Sequence, residues 1–301
     1  MKAFEQLTRR EFVKTTVAGI GGCLGLTCCN HTGRGKSKKA NYQIGCYTRA
    51  FNKYDYLTAF DAIAEAGFKY VGVMSSKDGY IVTKETPVKE AEKVGREAKV
   101  RGLTVISMFG SNIGVIETLQ TGIDGVKKII DNCAALECKN MLLCGHWDKR
   151  YQDDYYKAVS MNLDYAQANG ISMNLKSHGP YNDTGPELRA IVEKINHPAL
   201  NVWYDPGNTY WYSEGRLDPV EDATTLKGLI KGMCVKDFLP PKQDNITPGT
   251  GQVDFPALFE VLKEGGFTSG PLVIECLTQE GLSQTIQEAR GAKRMLEQFN
   301  D

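Results

Sequence analysis

Six short stretches of this chain end apolar runs on residues able to carry acid–base, ionic or metal chemistry: Arg49, His146-Trp147, Lys176-Ser177-His178, Asp205-Pro206-Gly207-Asn208, Lys236-Asp237 and Glu275. Glu275 is a candidate general base for taking a proton next to a carbonyl. An ammonium such as Lys176 would stabilise the oxyanion that results, or carry the second proton. A desolvated lysine with a lowered pKa also serves as a base or a Schiff-base nucleophile. Asp205, Glu275, Cys234 and His178 together supply carboxylate, thiolate and imidazole, all ordinary zinc ligands.

Each residue also has a structural alternative. Asp205 precedes Pro-Gly and suits the start of a turn. Glu275 would pair with a neighbouring lysine, Cys234 would fill a small core position, and His178 would bond a backbone carbonyl. Arg49 would be a solvated loop residue. His197, before Pro198, reads as structural, and His31 falls in a polar linker.

The elements that must position these residues repeat one unit. Short apolar runs at 42–47, 70–74, 104–108, 140–143, 172–175, 202–204, 233–235 and 272–274 read as buried parallel strands. Helical periodicity fills the gaps, as in Leu57-Phe60-Ile63-Ala64, Val126-Ile129-Ile130-Cys133 and Leu258-Phe259-Leu262, and a last helix covers about 282–299. Gly67, Gly102, Gly170 and Gly266 each follow a helical stretch and precede an apolar residue, the place of a left-handed cap glycine. Eight strand–helix pairs without Gly-x-Gly-x-x-Gly after the first strand point to an α/β fold closed as a (β/α)8 TIM barrel rather than a doubly wound sheet, and to no nucleotide cofactor. In such a barrel the site forms at the C-terminal ends of the strands, where all six stretches fall.

Charge is balanced at 36 basic and 36 acidic residues, which argues against nucleic acid or an anionic membrane as partner. Cys46, Cys133, Cys138, Cys144, Cys234 and Cys276 form no C-x-x-C pair, and buried thiols are expected.

At the N-terminus, Thr8-Arg9-Arg10-Glu11-Phe12-Val13-Lys14 is close to a full twin-arginine motif. An uncharged run of about a dozen residues follows, too short to span a bilayer. Residues 1–29 are therefore expected to be a signal peptide for the twin-arginine export machinery, 30–41 a linker and 42–301 one barrel domain. The protein would be periplasmic, or held on the outer side of the membrane by a lipid anchor. Ile20-Gly21-Gly22-Cys23 has the small residues an acylated cysteine needs, while Cys28 and Cys29 sit better for length. A single lipid chain would give only marginal anchoring.

Tyr204-Asp205-Pro206-Gly207-Asn208, Val235-Lys236-Asp237, the run Gly249-Thr250-Gly251-Gln252-Val253-Asp254-Phe255 and Glu275 resemble the sugar (phosphate) isomerase and epimerase barrels related to xylose isomerase. The resemblance covers the chain from Tyr42 on. It implies a divalent metal (Mn, Mg or Zn) held by Glu, Asp, His and Glu on strands five to eight, orienting a hydroxy-ketone while two glutamates pass a proton. Asp205 and Glu275 match that set. The usual Glu-Asn-His reads Lys176-Ser177-His178, the usual His-x-Lys-Asp reads Cys234-Val235-Lys236-Asp237, and Met74 stands where many members have glutamate.

Three readings of the altered site follow. Lys176 replaces the metal as the cation facing Asp205 and Glu275; or Asp205, Glu275, Cys234 and His178 rebuild a zinc-like site; or catalysis is lost and a sugar is only bound. A cation beside a metal would be strongly repelled, so Lys176 decides among them. His146, Trp147, Trp211 and Tyr212 offer ring faces for a carbohydrate, Asn208, Lys236 and Asp237 offer hydrogen bonds, and Arg49 suits an anionic substituent. The expected activity is isomerisation, epimerisation or elimination on a keto-sugar by proton abstraction next to a carbonyl. Glycoside hydrolysis would need a second carboxyl from Asp205, Asp237 or Asp183. DNA-repair endonucleases of this fold need a histidine-rich zinc cluster, which four histidines do not supply.

Overall fold

The structure, a computed structural model, describes residues 40–300 apart from Ser111; the expected export signal with Cys23, Cys28 and Cys29, and the linker as far as residue 39, lie outside the described residues. All eight expected strands form: β1 (Asn41–Tyr47), β2 (Tyr70–Val73), β3 (Thr104–Phe109), β4 (Asn140–Leu143), β5 (Ser172–Lys176), β6 (Leu200–Tyr204), β7 (Ile230–Val235) and β8 (Ser269–Ile274). They pair in sequence order, and β8 closes on β1 in parallel from Asn41 opposite Ser269 to Cys46 opposite Ile274. The sheet is thus a closed barrel and not the doubly wound alternative. β7 and β8 begin three residues before the expected runs, because Gly232, Gly270 and Pro271 interrupt the apolar pattern without ending the extended backbone.

Between the strands run α1 (Tyr56–Glu65), α2 (Val88–Val100), α3 (Leu119–Ala135), α4 (Gln152–Ser160), α5 (Leu163–Ala168), α6 (Gly185–Ile195), α7 (Pro206–Ser213), α8 (Pro219–Thr224), α9 (Phe255–Glu264) and α10 (Leu282–Glu297). The expected cap glycines all take positive φ, from 70° at Gly170 to 93° at Gly266. Asp55, Thr118, Thr184 and Asp254 cap their helices by accepting from backbone N–H groups. Asn300 stitches the C-terminus to the first strand, accepting from Tyr42 N at 2.7 Å.

Strand alternation sorts the side chains. Met233 and Val235 of β7 join the core shared with the helices, while Cys234 joins Tyr47, Met74, Ile106, Leu142, Trp203 and Val273 in a separate cluster inside the barrel. Two glycines make room for its largest rings: a Cβ on Gly72 would lie 2.1 Å from the Tyr47 ring, and one on Gly232 would lie 2.4 Å from Trp203. The same alternation turns Met173 and Leu175 of β5 into the outer core and leaves Lys176, the last residue of the strand, above the inner cluster. The packed interior therefore forms the floor of a site.

Candidate active site

Lys176 stands at the centre of that floor. Its Nζ lies 2.5 Å from Glu275 Oε2, just past β8, and 2.8 Å from Asp205 Oδ2, just past β6. The Asp205 contact is ionic rather than a well-aligned hydrogen bond, since Oδ2 has no partner of good angle. Oδ1 of Asp205 accepts from Asn208 N at 2.9 Å and so caps α7. Asp205 thus starts a turn and also faces the site; the two readings coexist on its two oxygens.

A second layer of charge surrounds this centre. Lys236 Nζ donates to Asn208 Oδ1 at 2.7 Å and lies 2.8 Å from Asp244 Oδ2 and 3.8 Å from Glu275 Oε1. Arg49 Nε is 3.7 Å from Glu275 Oε1, and its Nη1 contacts Cys276 Sγ at 3.3 Å. Three cations (Arg49, Lys176, Lys236) face three carboxylates (Asp205, Asp244, Glu275) and balance them. Asn208 is locked from both ends, with its Nδ2 donating to Ser177 O at 2.8 Å.

Burial would push the Lys176 ammonium toward neutrality, but Asp205 and Glu275 outweigh it and hold the pKa well above the ordinary lysine value. The neutral amine needed for nucleophilic attack is therefore the disfavoured form. Burial would also raise Glu275, but Lys176, Lys236 and Arg49 together hold its carboxyl well below the usual range. Asp205 moves the other way: burial lifts it above the ordinary value despite Lys176 and Lys236. Two carboxyls on one ammonium are thus pushed apart.

Above the floor is a cavity of about 540 Å³, lined by Arg49, Lys176, His178, Asn208, Trp211, Lys236 and Glu275 of the expected residues. Burial and the nearby Lys176 lower the His178 pKa to about 4, leaving a neutral ring. The Tyr212 hydroxyl lies 3.1 Å from its Nε2. Met74, Tyr80, Phe109, Cys144 and Asp244 also line the cavity. Sequence reading did not place Tyr80, Cys144 or Asp244 there. Asp244 lies on the long connection after β7 and Tyr80 on a hairpin pairing Ser75–Ser76 with Gly79–Tyr80, where no periodicity marks a position.

Four residues weighed for the site lie elsewhere. Asp237 is wholly buried and faces a loop: Oδ1 accepts from Phe238 N (2.8 Å) and Val253 N (3.1 Å), and Oδ2 from Gly249 N (2.9 Å) and Gly251 N (2.8 Å). A Cβ on Gly251 would come within 2.3 Å of Oδ1. The Gly249-Thr250-Gly251 motif is thus the seat of this carboxylate, not a substrate contact. His146 and Trp147 line a neighbouring groove instead of the main cavity. Asp183, considered for hydrolysis, accepts from Tyr181 N and is absent from the cavity wall.

Donor atoms of Asp205, Cys234 and Glu275 all lie within 4.8 Å of one another, and His178 is not part of this group. The group does not fit a divalent ion. The Lys176 nitrogen already contacts both carboxylates, where an ion would meet its full charge at short range.

A closed parallel eight-stranded barrel with charged groups gathered at its C-terminal face defines the (β/α)8 class. Residues 60–299 match the xylose isomerase-like TIM barrel, and the chain belongs to that family. No curated protein matches the sequence. Among solved structures, a xylose isomerase domain protein from Planctomyces limnophilus is 19% identical (TM-score 0.66; 86% of this chain, 97% of that one). A D-psicose 3-epimerase solved in the presence of D-fructose is 14% identical (TM-score 0.67; 84% and 97%). A 3-keto-D-glucoside 4-epimerase from E. coli is 19% identical (TM-score 0.63; 85% and 100%). At these identities the likeness is one of fold.

Proposed function

We propose that the chain is an exported enzyme of the sugar isomerase and epimerase type, acting on a neutral keto-sugar by proton abstraction next to the carbonyl. The observation that carries this reading is the Lys176 ammonium seated between Asp205 and Glu275 at the bottom of the cavity. Glu275, ionised, takes the proton. Lys176, charged, stabilises the oxygen on which negative charge develops. A substrate oxygen that engages Lys176 and Lys236 draws both ammonium groups away from Glu275, and its basicity rises at the moment a base is needed. The charge moves from Glu275 to the substrate oxygen, so the balanced cluster stays balanced. That balance leaves no excess cation for a phosphate group, which favours unphosphorylated sugars. Export rests on the twin-arginine motif alone.

Hydrogen–deuterium exchange at the carbon next to the carbonyl, followed by NMR over a panel of ketohexoses and 3-keto-D-glucosides, tests the assignment. Exchange with the wild type and none with Glu275→Gln is expected; exchange unchanged in Glu275→Gln overturns it.

A second reading, sugar binding without turnover, is favoured by the depression of the Glu275 carboxyl. Saturable binding without exchange or product would establish it.

A further inference from the structure

A groove of about 220 Å³ lies beside the main cavity, and Tyr80, Phe109 and Cys144 belong to the walls of both. The groove differs chemically from the cavity: among the described residues its wall contains no Asp, Glu, Lys or Arg. Three of the seven large apolar side chains exposed among the described residues gather here: Tyr80 (54% exposed), Ile116 (51%) and Trp147 (75%). Scattered exposed hydrophobics are ordinary, but three around one concave feature beside a polar site are not. Tyr80 stacks on Phe109 with ring centres 5.0 Å apart, which holds the shared wall flat. Polar atoms sit among the rings. His146 accepts from Asp148 N at its Nδ1, so Nε2 is the ring atom left for a ligand. Asn112 uses its Oδ1 for Gly114 N, which leaves its amide N–H groups.

We propose that the site takes a keto-sugar glycoside rather than a free monosaccharide, with the reacting ring on the Lys176–Glu275 floor and a second, neutral sugar ring in the groove against Trp147. The inference rests on the keto-sugar reading of the main cavity. Flat aromatic walls with a few hydrogen-bonding groups and no charge match the apolar C–H face and hydroxyl rim of a pyranose. They do not match a phosphate or a carboxylate. Tyr80, Phe109 and Cys144 border both spaces, so the two rings lie side by side and are joined through a glycosidic link across that shared edge.

Calorimetric binding tests this on the full chain with ketohexoses and 3-keto-D-glucose, each offered free and as its D-glucosyl glycoside. Trp147→Ala and Ile116→Ala are measured alongside, since both residues are exposed and neither lines the main cavity. At least one glucosylated sugar is expected to bind about tenfold or more tighter than its free form, and Trp147→Ala to abolish that preference with the free sugar unaffected. Overturning results are a panel with no such preference, or a Trp147→Ala loss equal for both forms. A preference for an apolar aryl glycoside over the glucosyl one also overturns it, because the groove would then be an aglycone site. Deuterium exchange on the same samples separates the two inferences: preferential binding without exchange keeps the second ring and removes the turnover reading.

Discussion

Lys176 and Glu275 stand 99 residues apart in the chain and meet at 2.5 Å above the inner cluster of the barrel, with Asp205 2.8 Å from the same nitrogen. All three are buried, so each supplies the charge that makes the other two tolerable there.

Lys176→Met should remove that compensation and cost roughly 3–5 kcal/mol at neutral pH, the penalty for an uncompensated buried charge. Without the ammonium, Asp205 and Glu275 repel each other, and their folded-state pKa values rise above the unfolded ones. Stability contributed by raised carboxyls is full below the unfolded pKa and is lost as pH rises through the folded value. The deficit relative to wild type should therefore shrink as pH falls toward about 4. Chemical denaturation across that range checks this. A deficit that ignores pH would mean that Lys176 acts only by packing.

Lys176→Glu replaces the cation by a third carboxylate beside Asp205 and Glu275. The variant should be strongly destabilised alone and rescued by Mn²⁺ or Mg²⁺, seen as a rise in melting temperature and about one ion per chain by elemental analysis. Wild type should show neither effect. An equal melting shift in wild type would show that the ammonium does not exclude a metal.

Asp237→Ala strands the N–H groups of Phe238, Gly249, Gly251 and Val253. At about 1–3 kcal/mol per unsatisfied buried group, the loop after β7 should open locally, with amide exchange at Gly249, Gly251 and Val253 faster by about 100-fold or more. Gly251→Ala should act in the same direction, because its Cβ would displace the carboxylate. Wild-type exchange in both variants would leave the motif without this role.

His178 should stay neutral through the physiological range. Its ring resonance in NMR is expected to move with a midpoint of about 4. Since the folded-state pKa lies below the unfolded one, the buried ring contributes stability that is present above pH ~6.5 and lost as pH falls through about 4. A midpoint near 6.5 would place the ring in water.

The barrel was legible from the chain because its strands are short apolar runs punctuated by glycines in left-handed turns, a local signal. The site was legible to the extent that it sits at strand ends. Lys176, Asp205, Lys236 and Glu275 meet because closure brings β5 to β8 together. Asp237 went astray because two adjacent residues past a strand end face different ways: Lys236 enters the cavity while Asp237 turns back on Gly249 and Gly251. Trp147 lies one step past His146 on a loop, where no period tells the main cavity from its side groove. Asp244 was missed for the same reason: its pairing with Lys236 depends on the path of a long connection.

A positive charge borne by a side chain is delivered by translation. Whatever the surroundings hold, the cation between Asp205 and Glu275 arrives with the fold, in one copy, at one address. Chelators cannot strip it, competing ions cannot replace it, and scarcity cannot empty it. The same tether forbids exchange: only a substitution in the gene can put a different cation between these carboxylates.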